Sequence, residues 1–493
     1  MTYDLSRRDF MSQAFAAGAG LGLAGCAGTG GVRTAAHVPG TGRIPYRVFW
    51  TWDNSHSWYE HARGAQDTGI GTAYMKDGAW FERDYRKSVD WCAAHGIDAV
   101  GVVGLLRDCH GGVDAARRIC AYAREKGVRV YLISGLYTYG GVYYQGTSRW
   151  SMDRFFEQNP DCIGKNEDGS PLKFVQHWHH GDVEEFVGCP SNDRLNRYIL
   201  DSLAWVFTAI PELGGIQMET GDTQVCWCDR CRARRGAKAA VEGMSVEDMI
   251  AMYPDATAAV RSVSPDAWIM CETYHHFIDG PCEQFYAADA ATRFAKVAAM
   301  PKDVFWQWKC DRQLRDGSWK FGAGLPPVLK PFRHMMRAHS GTQWWGGRAS
   351  WAADLIREQC RLSAGSGICG VSLFGEISPY RANSEFNYLA LQYFSDRPDA
   401  PLSAFGRDVM APLLGGDAFA EKWIAYAPLQ DDPKRVPAAL ADIAKFLPSV
   451  RDREAVRRWQ WLANHLAAFR WNSEHFPKGR SHPKQYTSAS PLV

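Results

Sequence analysis

The chain lacks the signatures of several large classes of chemistry. It has no phosphate-binding loop, no dinucleotide glycine fingerprint set between a strand and a helix, no G-x-S-x-G elbow and no H-E-x-x-H. Phosphoryl transfer, hydride transfer and serine hydrolysis are therefore disfavoured. Charge of one sign is lacking too. Lys and Arg total 56 against 54 Asp and Glu, a net charge of +2, so nothing favours nucleic acid or another polyanion as partner. No apolar run beyond the N-terminus could span a bilayer. The 14 cysteines form no even, closely spaced framework, which excludes a small disulfide scaffold. Cys92, Cys120, Cys271, Cys360 and Cys369 stand alone inside predicted strands or helices, as buried thiols do.

What is abundant is aromatic. Twenty Trp, 20 Tyr and 23 Phe suit either a large barrel core or a cleft whose ring faces stack on sugars. With 493 residues there is room for a large core and for more than one domain.

Residues 1–26 read as an export segment and 27–42 as a flexible Gly/Thr/Ala tether. Ser6-Arg7-Arg8-Asp9-Phe10-Met11 fits the twin-arginine pattern, and Ala14–Leu23 is a short apolar stretch. Leu23-Ala24-Gly25-Cys26 resembles a bacterial lipobox, which implies a lipidated Cys26 as first mature residue. The expectation is a folded protein carried out by the twin-arginine machinery. It would be held by a lipid anchor at the periplasmic or cell-surface side of a membrane.

From Arg43 the pattern becomes strand, helix, glycine, strand. Arg43–Trp52, Ile97–Val103, Val128–Ser134, Ile216–Glu219, Ala267–Glu272, Val304–Trp308, Gly341–Trp345 and Gly367–Phe374 are the predicted strands. Asp84–His95 and Val113–Lys126 are predicted helices, each stopped by a glycine. Ser191–Ala209, Val246–Val263, Phe285–Ala299 and Ser350–Ser363 complete the alternation. Largely apolar strands at βαβ spacing predict an α/β fold, a (β/α)8 barrel over residues 43–382 with enlarged loops. The longest loop, Tyr137–Asp182, holds Gln176-His177-Trp178-His179-His180. Residues 383–477 are predicted as helices only, and 478–493 as a loose tail.

A barrel of this kind gathers its strand ends on one face. Asp53, Glu219, Asp222, Glu272, Asp311 and Glu376 would converge there. Trp52, Tyr137, Trp178, His179, Tyr274, His275 and Trp344 would stand beside them as sugar-binding residues. Carboxylates ringed by aromatics are what glycoside hydrolysis requires. One acid protonates the leaving oxygen, and a second carboxylate attacks, activates water or steadies the ring cation. We read Glu219 as the acid and Glu272 as its partner, with Asp311 and Glu376 as rivals. Two other classes stay open: a catalytically silent glycan-binding lipoprotein, and a metal-dependent hydrolase using His177, His179 and His180. No cofactor is expected for the carboxylate chemistry.

Cys226, Cys228 and Cys231 follow Glu219 as C-x-C-x-x-C. Their spacing allows a disulfide with one thiol left over, or three thiolates on a structural zinc ion with a fourth ligand from elsewhere. An unpaired reactive thiol is disfavoured in an oxidising compartment, which tilts the reading to zinc, with Cys189 a candidate fourth ligand.

The run Ile216–Glu219, Asp222 and C-x-C-x-x-C resembles a region of bacterial glycoside hydrolases related to β-hexosaminidases and α-glucuronidases. It is also similar to domain-of-unknown-function families that contain endo-β-N-acetylglucosaminidases. Gly375-Glu376 followed by Asn383–Leu389 resembles their barrel exit into a helical tail. The resemblance covers Tyr46–Leu414. It implies that Glu219, at the end of the fourth barrel strand, is the proton donor. The hexosaminidases carry Asp-Glu at this point, the Asp orienting an acetamido group. Met218 stands there in this chain, so the resemblance does not extend to substrate-assisted cleavage or to the sugar.

Overall fold

The computed structural model describes residues 43–53, 56, 58, 78–178, 181–219, 225–235, 246–273, 283–311, 314, 317, 321, 324–342 and 349–475. Residues 1–42, read above as an export segment and a tether, and those after 475 lie outside the described residues, as do Cys26, His179, Asp222, Tyr274, His275 and Trp344.

Ten strands occur in chain order: β1 (Tyr46–Trp52), β2 (Ala99–Val103), β3 (Arg129–Gly135), β4 (Lys173–Trp178), β5 (Gly181–Phe186), β6 (Gly215–Glu219), β7 (Trp268–Glu272), β8 (Phe305–Lys309), β9 (Arg333–Arg337) and β10 (Gly370–Phe374). Eight of them close a parallel barrel in the order β1-β2-β3-β6-β7-β8-β9-β10. β4 and β5 form a separate antiparallel hairpin inside the long excursion between β3 and β6. The (β/α)8 expectation is thus correct.

The barrel forms because its strands can be buried on both faces. Alternate residues feed two separate apolar clusters. Phe49, Val100, Val102, Leu132, Ile216, Ile269, Trp306 and Leu373 pack outward under the helices. Tyr46, Trp50, Trp52, Tyr131, Trp268, Met270, Phe305 and Met335 fill the interior. At the floor Tyr46 meets Trp268 and Phe305 edge-on, with ring centres 5.4 and 4.9 Å apart. Higher up, Gly101 has no side chain because the Tyr131 ring occupies the space. A Cβ there would lie 2.2 Å from that ring.

The helices follow ordinary local rules. Helix Asp193–Ala209 starts at Asn192, whose side chain accepts from the backbone N–H of Arg194 and Leu195 at 3.0 and 3.1 Å. Such a cap stabilises a helix by about 1 kcal/mol. Leu195, Ile199, Leu203 and Val206 of that helix repeat at three- and four-residue spacing and are buried. Beyond β10, helix Ala382–Asp396 leads into a helical region ending with Arg453–His475. Arg458 clamps Glu385 through two hydrogen bonds of 2.7 and 2.8 Å. Trp423 and Trp459 pack edge-on at 4.9 Å in the same region.

Three expectations need correction. The seventh barrel strand is Arg333–Arg337, upstream of the Gly341–Trp345 run. Its polar residues hid it, since Arg333 and Arg337 alternate inward with Met335 rather than forming an apolar run. Phe285–Ala299 is not one helix but short turns at Glu283–Tyr286, Ala290–Arg293 and Ala295–Ala298. The excursion after β3, expected to be irregular, carries helix Met152–Gln158 and the β4–β5 hairpin.

Candidate active site

The C-terminal ends of three barrel strands bring three charged side chains together. β6 ends on Glu219 and β7 on Glu272, and β9 ends on Arg337. Their side chains take the inward position of the alternation. Nη1 of Arg337 lies 2.6 Å from Oε1 of Glu272 and 3.7 Å from Oε1 of Glu219. The guanidinium stands over the Trp50 ring at 5.0 Å, a geometry that adds cation–π attraction. All three are nearly enclosed, with Glu219 at 7%, Glu272 at 2% and Arg337 at 3% exposure. Below them Gln307 donates to Gln217 at 3.0 Å across the interior. Behind β7, the Tyr253 hydroxyl donates to the backbone carbonyls of Glu272 and Met218, holding both strand ends.

This centre has a definite chemical capacity. A buried pair of acids repels itself unless a cation stands between them. Arg337 supplies that cation and gives Glu272 the short, charge-assisted hydrogen bond. Glu219 is the farther of the two acids from Arg337. One guanidinium nitrogen thus reaches an oxygen of each acid, which places the two carboxyl groups on the same side of the barrel mouth.

The other strand-end acids are engaged elsewhere. Asp53 is fully enclosed; Arg107 pairs with its carboxylate, and His110 Nε2 lies 2.7 Å away. Gly104, at φ +77°, lets the backbone pass this carboxylate. A Cβ there would sit 2.5 Å from the Asp53 carboxyl carbon. Burial resists the Asp53 charge, but Arg107 and His110 hold it below the usual carboxylate range. Burial likewise opposes the His110 cation, yet hydrogen bonds to Asp53 and Cys109 raise its pKa to about 9. Asp53 thus ties β1 to the segment after β2.

Asp311 accepts from the backbone N–H of His339 at 2.6 Å and faces that ring's Nδ1 at 2.5 Å, with Lys309 at 4.0 Å. Burial resists its ionisation, and these groups overcome it, holding the Asp311 pKa low. Glu376 is buried after β10, where Oε1 accepts from the Trp52 backbone N–H at 3.3 Å. It lines a small pocket with Ser340, Thr342, Phe374 and Tyr388. Trp52 itself forms a wall at the mouth, edge-on to Tyr139 at 5.6 Å and Tyr144 at 6.2 Å. Tyr137 does not reach the mouth. Its ring lies in the core outside β3, and its hydroxyl donates to Asn196 at 3.1 Å. Of Trp178 and His177 the backbone alone is described, as part of β4.

Sequence reasoning did not single out Arg337, Trp50, His339, Tyr144 or Glu185. Arg337 carried one signal, an inward position on a short alternating strand, but that strand was not recognised. Glu185, on β5, is 6% exposed and interacts with the Tyr144 hydroxyl. Burial, and then the Asp153 charge, raise its pKa to about 7.

Beside this centre lies a cluster of four thiols: Cys189, after β5, with Cys226, Cys228 and Cys231, after β6. Their sulfur atoms all lie within 4.8 Å of one another. This is the arrangement of three expected from the sequence, completed by Cys189.

Fold and site together define a parallel (β/α)8 barrel with an arginine-bridged pair of acids at its C-terminal mouth. No protein-family model and no curated protein matches the sequence. Solved structures match in chain path. A GH138 enzyme targeting pectin rhamnogalacturonan II has a TM-score of 0.49 at 10% identity, covering 88% of this chain and 57% of that one. A family 89 glycoside hydrolase from Clostridium perfringens, in complex with GlcNAc-alpha-1,4-galactose, has 0.49 at 10% identity, covering 90% and 53%. A cyclic alpha-maltosyl-(1→6)-maltose hydrolase from Arthrobacter globiformis has 0.42 at 12% identity, covering 72% and 83%. The chain spans little more than half the length of the first two. At such identities residue roles do not transfer.

Proposed function

We propose that the protein is a glycoside hydrolase in which Glu219 is the general acid and Glu272 the ionised partner. The observation that supports this is the pair of nearly buried acids at adjacent strand ends, sharing Arg337. In this reading Glu272, in the shorter contact with the guanidinium, is the charged carboxylate. Glu219, farther from Arg337, is in this reading the acid that donates a proton to a leaving glycosidic oxygen. In the retaining course we propose, Glu272 attacks the anomeric carbon and Glu219 then activates water. Trp52, Tyr139 and Tyr144 offer ring faces and edges for sugar binding. Asp222, His179, Tyr274, His275 and Trp344 remain in this reading as substrate contacts from the loops.

The test is hydrolysis of a panel of oligosaccharides by wild type and by Glu219→Gln. Turnover should fall roughly 10²-fold or more in the variant, and the first product formed by wild type should retain its anomeric configuration. Full activity of the variant on a natural glycan would remove Glu219 from the mechanism.

The reading includes export by the twin-arginine route and anchoring through lipidated Cys26, supported by Arg7-Arg8 and Leu23–Cys26. Among the described residues no helix is long and apolar enough to cross a membrane. It also includes a structural, non-catalytic zinc ion at the thiol cluster.

A further inference from the structure

We infer that Cys189, Cys226, Cys228 and Cys231 form a complete four-thiolate zinc site that staples the loop after β6 to the chain after β5. This deepens the structural-zinc part of the proposed function. It does not depend on what the carboxylates do.

The geometry points to a metal rather than to disulfides. A zinc ion with four sulfurs at about 2.3 Å imposes sulfur–sulfur edges of about 3.8 Å. Cys189 Sγ lies 3.6 Å from that of Cys228, 3.8 Å from that of Cys231 and 3.6 Å from that of Cys226. One sulfur is thus near-equidistant from three others, as at a tetrahedron's vertex. A disulfide framework would single out partners at about 2.0 Å. Among the described residues this is the one group of three or more Cys, His, Asp or Glu side chains close enough to share an ion.

The surroundings suit the charge. Zinc binding displaces four thiol protons and leaves a centre of charge −2. The backbone N–H groups of Lys165 and Cys228 point at Cys226 Sγ at 3.4 and 3.5 Å, as donors to a thiolate would. Ser191 Oγ lies 3.0 Å from Cys231 Sγ. Arg235 donates to the Cys226 carbonyl at 2.6 Å, and Arg234 donates to Ser191, so two cations stand close by. Asp248 fixes both arginines at 3.1 Å. Hydrogen-bonded neighbours of this kind orient metal ligands and tune their charge.

The site's location gives it a role. Cys189 belongs to the excursion that carries the hairpin, and Cys226 lies seven positions after Glu219 in the chain. A metal here would fix the chain from Cys226 to Cys231, which follows β6, against Cys189, which follows β5. Cys189, Cys226, Cys228 and Cys231 are positioning residues for the chain on either side of them.

The test is metal content and thiol state of the purified full-length chain. We expect about one zinc per chain, four thiols protected from alkylation until chelator is added, and the strong visible bands of tetrahedral thiolate-bound Co²⁺ after exchange. Cys189→Ser and the half-exposed Cys228→Ser should each lower zinc content at least tenfold, whereas exposed Cys109→Ser keeps it. Glu219→Gln should keep its zinc, so loss of hydrolysis and loss of metal are separable. Chelation should speed hydrogen exchange in peptides 187–192 and 225–235 but not in β1 or β2. If either serine variant fails to fold, wild-type metal content, alkylation and Co²⁺ spectra still decide. A metal-free wild type, with the four sulfurs either in disulfides or freely alkylated, would overturn the proposal. So would undiminished zinc in both serine variants.

Discussion

Replacing Arg337 by methionine removes the cation between Glu219 and Glu272 and leaves a side chain of similar length. The two acids are 7% and 2% exposed, so solvent cannot substitute for the lost partner. Removing one partner of a buried ion pair costs about 3–5 kcal/mol, because the other charge is left uncompensated. For a chain of this size about 1 kcal/mol corresponds to about 1 °C, so Tm should fall by roughly 3–5 °C at neutral pH. The pH dependence is more diagnostic. Without Arg337 the pair relieves its repulsion by keeping one proton, which raises one folded-state carboxyl pKa in the variant. A carboxyl raised in the folded state contributes stability fully below its unfolded pKa, near 4.3 for Glu, and loses it as pH rises through the folded value. The Tm difference between wild type and Arg337→Met should therefore be small at pH 4.5 and largest near pH 8. Thermal unfolding followed across that range measures it without any substrate. An equal Tm loss at both ends, or none, would refute the shared-cation account of this centre.

Glu272→Gln should lower Tm more than Glu219→Gln, because Glu272 holds the shorter contact to Arg337; equal effects would show that the two acids share the guanidinium evenly. Glu185, raised to about 7, contributes stability below its unfolded pKa that is lost as pH rises through about 7. Glu185→Gln should accordingly stabilise the protein at pH 8, by on the order of 2–3 kcal/mol, and do little at pH 4.5, as thermal melts at the two pH values would reveal. His110, raised to about 9, contributes stability below about pH 6.5 that disappears as pH climbs through about 9. Asp53→Asn should flatten that alkaline decline and cost about 3–5 kcal/mol at pH 7, measurable by denaturant unfolding. Arg7→Lys with Arg8→Lys should retain the protein in the cytoplasm, and Cys26→Ala should move it from the membrane to the soluble exported fraction; cell fractionation decides, and normal export of the double-lysine form would exclude the twin-arginine route.

The sequence by itself determined the barrel. Seven of its eight strands are short, largely apolar runs separated by helical periodicity and terminal glycines. That pattern is local, because a strand buried on both faces must be apolar throughout. It also placed Glu219 and Glu272 at strand ends and exposed the C-x-C-x-x-C cluster, since these rest on neighbours in the chain. The helical tail was legible for the same reason, since residues 383–477 read as helices only and carry helices from Ala382–Asp396 to Arg453–His475. What tertiary structure decided was pairing across the barrel. Arg337 is 65 positions from Glu272, and its strand alternates charge with methionine, a pattern that reads as exposed until closure turns the charges inward. Asp53 looked like a site acid, yet Arg107 and His110, more than 50 positions away, tie it into the wall. Cys189 stood apart from its three partners by 37 positions or more, and the hairpin excursion alone brings it to them. Hydrophobic periodicity is written along the chain, but the partner of a buried charge or thiolate is set by which strand ends meet when the sheet closes.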